Sequence, residues 1–204
     1  MTPISPLIVG LGGTGSRDSA SELLLRRALD CCASHGADTL IFDGNALDIP
    51  MYRPHIGDRT DKARAMIDGL RRADGVILSS PGYHGTVSGL IKNALDYVQD
   101  MAGDSMPYFE GRAVGLIAVA GGWQATGTTL ATMRAITHAL RGWPTPMAVA
   151  VNSQLDVFGA QGEVGDLAID AQLKTLAEQV VTFAKMRALH ELSEAAHRAN
   201  SDAG

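Results

Sequence analysis

Apolar runs alternate with helical periods along nearly the whole chain, and together they predict five strand–helix units. The runs are apolar throughout rather than at every second position, which is typical of strands that a parallel sheet buries on both faces. The predicted strands span residues 7–11, 39–42, 76–79, 114–120 and 147–151. The predicted helices lie near residues 20–34, 60–73, 89–101, 130–140 and 169–183.

Parallel strands joined by right-handed crossovers place helices on both faces of the sheet, which gives a three-layer α/β sandwich. Five strands fit a flavodoxin-like parallel sheet of order 2-1-3-4-5 better than a six-stranded dinucleotide-binding fold. A chain of 204 residues suits one domain of this kind. We therefore expect the domain over residues 1–188, followed over 189–204 by a polar tail that is a frayed helix end or disordered.

A glycine-rich loop follows the first predicted strand. Gly10-Leu11-Gly12-Gly13-Thr14-Gly15 matches Gly-x-Gly-x-x-Gly, the pattern of NAD-binding Rossmann domains. The polar run 16–21 that comes next argues against that interpretation, because a Rossmann helix begins within its glycine motif. A loop of hydroxyls and glycines that opens onto a helix N-terminus fits a terminal phosphate monoester instead. The alternative is that Ser19 and Ser21 only cap the helix.

A second loop, after the third predicted strand, combines proline, glycine and an aromatic residue. Pro81 and Gly82 predict a sharp turn that brings the backbone N–H groups of Tyr83, His84 and Gly85 to the carboxyl end of the strand. Open α/β sheets bind flat ligands at this edge, where the strand order reverses. The pattern therefore predicts a ligand site here.

Residues 79–98, which contain this loop and the helix after it, closely resemble the second flavin-contacting loop of the NADPH-dependent FMN reductase family, a branch of the flavodoxin-like folds. The first loop resembles the phosphate loop of that family. Residues that match the phosphate loop position by position are Thr14, Ser16, Arg17, Ser19 and Ser21. In the family a third loop lies beside the pyrimidine end of the flavin, and here it reads Gly121-Gly122-Trp123-Gln124, with Gln124 as the candidate side-chain amide.

The resemblance covers the chain to about residue 187 and implies an enzyme. It implies a protein that binds FMN, takes hydride from NADPH or NADH, and reduces free flavin, a quinone or a similar acceptor. The cofactor carries this chemistry, so no side chain is assigned a catalytic role, and His84 is expected to offer its backbone N–H. The alternative is a flavodoxin-type electron carrier, although such carriers are usually far more acidic than this chain, with its net charge of −5.

Composition narrows the possible partners and the location. The net charge of −5 argues against nucleic acid and against anionic membranes. The sequence offers no apolar run long enough for a membrane span, no basic leader and no cluster of metal-ligating residues, so we expect a cytoplasmic protein without a metal. Cys31 and Cys32 are adjacent on a predicted helix, where their side chains diverge, and we expect both to be reduced.

The helix over 89–101 is the basis for an expected homo-oligomer. Tyr97, Val98 and Met101 lie near its end and suggest more apolar surface than one face of a sheet can cover. Two such helices packed about a two-fold axis would bury that surface. In the family this helix helps to form a dimer, and we expect a homodimer or a homotetramer.

Overall fold

The computed structural model of the chain describes residues 5–16 and 18–201, with their side chains as far as residue 198. Within these residues seven strands form a sheet whose main path runs β2-β1-β3-β5-β6. Strand β7 pairs in parallel with β5 beyond β6, and β4 pairs antiparallel with the end of β3. The strands are β1 (Leu7–Gly12), β2 (Asp38–Phe42), β3 (Gly75–Tyr83), β4 (Thr86–Val87), β5 (Ala113–Ala120), β6 (Trp143–Pro144) and β7 (Val149–Asn152).

Helices cover both faces of this sheet. They are α1 (Ala20–Ser34), α2 (Asp61–Arg72), α3 (Gly89–Asp96), which continues into a 3-10 helix (Tyr97–Met101), α4 (Trp123–Ala139) and α5 (Leu167–Ser201). Three of them begin at a hydroxyl side chain that accepts a backbone N–H of the first turn, which is the usual way to satisfy a helix N-terminus. These capping residues are Ser19 for α1, Thr60 for α2 and Ser88 for α3.

The core is divided by the sheet into two halves. Helices α1 and α5 pack against one face of the sheet, and α2, α3 and α4 pack against the other. Along β3, Val76 and Leu78 belong to the second half, while Ile77 between them belongs to the first. Because successive strand residues point to opposite faces, burial on both faces requires an unbroken apolar run.

The flavodoxin-like fold and the predicted order of the main strands are confirmed. The fifth predicted strand is β7, which lies beside β5 as expected. Strands β4 and β6 have two residues each, too few to produce a period in the sequence. Helix α5 continues to Ser201, so the described part of segment 189–204 is helical. The division of the chain at residue 188 stays a prediction.

The argument from Tyr97, Val98 and Met101 to an oligomer is wrong. All three side chains are buried within the chain itself, in the core half beneath α2, α3 and α4. The long loop between β2 and α2 covers the 3-10 helix: Tyr52 makes an edge-on contact with Tyr97, whose hydroxyl donates to the Pro50 carbonyl oxygen at 3.0 Å. These side chains therefore leave no surplus apolar surface for a partner.

Two further sequence-based expectations concern the cysteines and the membrane. Cys31 and Cys32 are free thiols buried on α1, and burial raises the pKa of Cys32 to about 12. Among the described residues, none of the helices combines the length and the apolar character needed to cross a membrane.

Candidate cofactor site

The three loops singled out in the sequence meet at one edge of the sheet. The strand register pairs Gly12 at the end of β1 with Ser79 on β3, and pairs Pro81 on β3 with Val119 on β5. The strands are parallel, so the segments that follow β1, β3 and β5 all emerge at their carboxyl ends. This is the edge at which open α/β sheets bind ligands.

The first loop is closed by its own hydroxyls and fixed to the sheet. The Thr14 hydroxyl accepts the backbone N–H of Ser16 at 3.0 Å, and Ser19 accepts the N–H of Glu22 as the N-cap of α1. The Ser21 hydroxyl lies 3.3 Å from that of Ser19. Behind the loop, the buried Ser79 hydroxyl donates to the Ser21 carbonyl oxygen at 2.7 Å, which ties the start of α1 to β3.

The loop thus places hydroxyls at a helix N-terminus, where the first N–H groups have no partner within the helix, and of these residues Ser21 is buried. Helix α1 begins at Ala20, well after the glycine motif rather than inside it. Ser19 does cap the helix, as the alternative interpretation held, but its hydroxyl also faces that of Ser21. Arg17, the remaining residue predicted for this loop, lies outside the described residues.

A polar cleft of about 580 Å³ is lined by the first loop and by the loop after β2, whose backbones touch at Thr14 and Gly44. Arg26 donates from its guanidinium to Glu22 at 2.7 Å and to Asp43 at 3.2 Å, and the hydrogen bond to Glu22 raises the pKa of Arg26. Charged residues that line the cleft are Asp18, Glu22, Arg26, Asp43 and Asp48. Four of these five charged groups are carboxylates, and Lys62 adds a cation at the rim, where its Nζ donates to the Asn45 carbonyl oxygen at 2.6 Å.

The second loop is a β-hairpin, so the predicted sharp turn at Pro81 and Gly82 is wrong. Both residues continue β3, and the chain reverses at His84 and Gly85, whose φ angles are 51° and 87°. Two central residues with positive φ are typical of a type I′ turn, which matches the twist of the strands it joins. Strand β1 ends opposite Ser79, so at Pro81 the parallel pairing of β3 is with β5 alone, as at the edge of a sheet, where proline is tolerated.

Side chains close both ends of the hairpin. The buried Ser80 hydroxyl accepts the backbone N–H of Ser88 at 3.1 Å and so joins β3 to the start of α3. Gly82 lies directly against α4, since a Cβ placed on it would sit 2.5 Å from Thr129 Oγ1. The Thr129 hydroxyl also donates to the Thr86 carbonyl oxygen at 3.5 Å. The hairpin is therefore held between α3 and α4.

The third loop is shorter than predicted. Only Gly121 and Gly122 lie outside regular structure, and Trp123 and Gln124 are the first residues of α4. The first hydrogen bond of the helix runs from the N–H of Thr126 to the carbonyl oxygen of Gly122 at 3.0 Å. The N–H groups of the preceding turn therefore point out of the helix at its positive end, towards the edge where the three loops meet.

Sequence reasoning missed a fourth segment, the polar residues after β7. The backbone N–H of Ser153 donates to the Ala120 carbonyl oxygen at 2.9 Å, and Asn152 Oδ1 accepts the N–H of Gln154 at 3.0 Å. The Gln154 amide nitrogen lies 3.8 Å from the point where a Cβ on Gly121 would sit. The predicted strand order already placed this segment beside the third loop, so the segment could have been inferred from the sequence.

A parallel sheet of this order, with a hydroxyl-lined helix N-terminus, a hairpin and a glycine-led helix at one edge, defines a flavodoxin-like protein. The sequence profile of the NADPH-dependent FMN reductase family matches residues 6–156, and the chain belongs to that family. It is an FMN-dependent NAD(P)H oxidoreductase, which confirms the predicted activity. The sequence analysis expected FMN together with NADPH or NADH, and FMN and NADPH are supported.

A sequence relative agrees with this assignment, and two solved structures share the fold. The chain is 28% identical over 184 residues to the FMN-dependent NADPH-azoreductase of Staphylococcus aureus strain USA300, covering 87% of this chain and 93% of the relative. Its fold is similar to that of FerB, a flavoenzyme NAD(P)H:(acceptor) oxidoreductase from Paracoccus denitrificans, with a TM-score of 0.73, 16% identity and coverage of 89% and 98%. The apo form of the NADH:FMN oxidoreductase EmoB gives a TM-score of 0.66 at 20% identity, with coverage of 89% and 90%.

Proposed function

We propose that the chain holds FMN at the carboxyl edge of its sheet and uses it to reduce a quinone, an azo compound or free flavin with NAD(P)H. The observation that carries this proposal is the convergence of three anchored segments: the loop after β1, the β3–β4 hairpin and the N-terminus of α4. When bound, FMN accepts hydride from the nicotinamide and passes the electrons on. The chain therefore has to supply binding and orientation rather than an acid or a base.

The first loop is proposed to hold the phosphate group. Thr14, Ser16, Ser19 and Ser21 offer hydroxyls, and α1 offers its N-terminal N–H groups and the positive end of its dipole. Each charge-assisted hydrogen bond contributes about 1.5–3 kcal/mol. We assign Arg17 to the same group as a proposal from the sequence.

The hairpin and the third loop are proposed to hold the ring system. Residues assigned to it are Pro81, Gly82, Tyr83, His84, Gly85, Gly121, Gly122, Trp123 and Gln124. Most of these contacts come from backbone, since glycines recur in both segments. The N–H groups at the start of α4 and the amide of Gln124 suit the carbonyl oxygens of a flavin pyrimidine. The positive end of the helix also favours the electron-rich reduced ring.

The acceptor, the assembly and the location are proposals of the same kind. The name of the Staphylococcus aureus relative supports an azo compound as one acceptor. A homodimer or homotetramer is supported by Met51 and Ile56, two exposed apolar side chains on the loop after β2. We propose a cytoplasmic location, in keeping with two free cysteines on α1.

The test is a reductive titration of the purified protein loaded with FMN, followed by steady-state kinetics. Anaerobic NADPH should bleach the visible absorption of the bound flavin, and a quinone should restore it. Because one open site serves both substrates in turn, double-reciprocal plots should give parallel lines. A protein that binds FMN but leaves NADPH and NADH unoxidised with every acceptor would contradict the proposed function. Intersecting lines would contradict the shared site.

A further inference from the structure

Two aromatic side chains stand in solvent beside the proposed flavin site. Tyr83, at the end of β3, is 52% exposed, and Trp123, at the start of α4, is 60% exposed. The ring contacts found among the described residues involve other aromatics. Neither ring is therefore used to build the core.

Both rings are carried on regular backbone, in two elements that pack against each other. Tyr83 pairs with Thr86 across the hairpin and follows Gly82, which packs on Thr129 of α4. A Cβ on Gly82 would also lie 3.5 Å from the carbonyl oxygen of Ala125, two residues beyond Trp123. The hairpin and the first turn of α4 thus form one unit with an aromatic ring on each part.

The segments that carry the two rings contain no charged side chains. Residues 79–91, which include the hairpin and the start of α3, and residues 113–133, which include β5, the third loop and the first turns of α4, contain no Asp, Glu, Lys or Arg. Exposed aromatic faces in such surroundings bind flat apolar groups by stacking and by excluding water. They offer nothing specific to a compact, highly charged ion.

We propose that the side chains of Trp123 and Tyr83 form the binding surface for the electron acceptor and select neutral, planar aromatic compounds. The inference rests on the proposed function, because it takes the flavin to lie at this edge. In this proposal the backbone of the two residues contacts the flavin, and their aromatic rings contact the acceptor. Both are then specificity-determining residues for the oxidative half of the reaction.

The two tryptophans of the chain allow a direct binding test. Trp143 is 62% exposed, almost the same as Trp123, but it pairs with Ala113 at the start of β5 and so lies at the opposite edge of the sheet. Trp143→Phe leaves Trp123 as the sole tryptophan, and Trp123→Phe leaves Trp143. Naphthoquinone added to the oxidised, FMN-loaded protein should quench the fluorescence of the first variant several-fold more than that of the second. Equal quenching would overturn the proposal.

Kinetics with two acceptors test selectivity. For Trp123→Leu, the ratio of kcat/KM for naphthoquinone to that for ferricyanide should fall about tenfold, mainly through the KM for the quinone. Trp123→Phe keeps a flat ring and should restore most of the ratio, and Trp143→Leu should leave it unchanged. An unaltered ratio in Trp123→Leu would overturn the proposal. An equal loss with both acceptors would overturn it too, since the ring would then serve the flavin. Failure of the proposed function looks different, because the unmodified protein would oxidise NADPH with neither acceptor.

Discussion

Replacing Gly82 by alanine tests whether the contact between the hairpin and α4 builds the site. The added Cβ would lie 2.5 Å from Thr129 Oγ1 and 3.1 Å from the Cβ of Ala120, both closer than ordinary van der Waals contact. Thr129 is fully buried, so a change of its χ1 rotamer would place another atom of the side chain among packed neighbours. The hairpin must therefore move away from α4. Overpacking of this kind costs about 1–3 kcal/mol, so we expect a loss of about 2 kcal/mol in the free energy of unfolding.

The same displacement moves the hairpin relative to the third loop, so FMN should bind about tenfold more weakly. Urea denaturation of the apoprotein and fluorescence titration with FMN measure the two effects. Thr129→Ala removes the atom that clashes and gives up only a long hydrogen bond of 3.5 Å to Thr86. Combined with Gly82→Ala, it should recover about half of the lost stability, which appears as coupling in a double-mutant cycle.

Gly89→Ala is the matched control. Gly89 is the first residue of α3, and a Cβ placed on it meets no atom within 4 Å. Alanine should be neutral there or stabilise the helix by a few tenths of a kcal/mol. If Gly82→Ala behaved like Gly89→Ala in both assays, or if the cycle showed no coupling, the hairpin would not depend on this contact and the reasoning would fail.

Three further predictions follow from contacts elsewhere in the chain. The double variant Ser19→Ala, Ser21→Ala should raise the dissociation constant for FMN about ten- to a hundredfold. The control Thr60→Ala, which removes a similar cap from α2, should change only the free energy of unfolding. An unchanged dissociation constant for the double variant would contradict the phosphate assignment. Ion pairs with α1 and within α5 lower the pKa of Asp170 from 3.8 to about 2, so the ionised carboxyl stabilises the fold above pH 3.8 and this contribution is lost as the pH falls towards 2. Asp170→Asn should therefore cost about 1 kcal/mol at neutral pH, because solvent screens its partners, and denaturation curves of the two proteins should converge near pH 2. Met101→Ala should lower the free energy of unfolding by about 2–4 kcal/mol and leave the sedimentation coefficient of the folded protein unchanged, because Met101 is buried within the chain. If the variant dissociated into smaller species, the 3-10 helix would be part of an interface between subunits after all.

The sheet was predictable because its chemistry is local and periodic. Val76, Ile77 and Leu78 are apolar in succession, and only a strand covered on both faces needs that pattern. The cap of α3 was equally plain, since Ser88 precedes an apolar helical period and accepts a hydrogen bond from Ile91. These features depend on neighbours in the sequence.

The parts that could not be predicted depend on distant contacts. Pro81 and Gly82 are strong turn formers, and only the pairing of β3 with β5 and the packing on α4 keep them in a strand. The turn then falls on His84, whose positive φ has no strong sequence signal. The loop after β2 has no period at all, and its position over Tyr97 rests on long-range hydrogen bonds such as the one from the Asn93 amide to the Pro50 carbonyl oxygen.

The arrangement of the two core halves also determines the order in which the two halves can fold while the chain is being synthesised. Ile77 and Ile117 lie at the centre of the sheet and share their half of the core with Leu173, Leu176 and Val180 of α5. A growing chain on the ribosome can pair β1, β2 and β3 early, yet it exposes this face until α5 has emerged. Parallel strands also pair slowly, because the two strands are far apart in the sequence. The chain should therefore need protection from aggregation late in translation, and shortening α5 to end before Val180 should yield an insoluble product rather than a smaller enzyme.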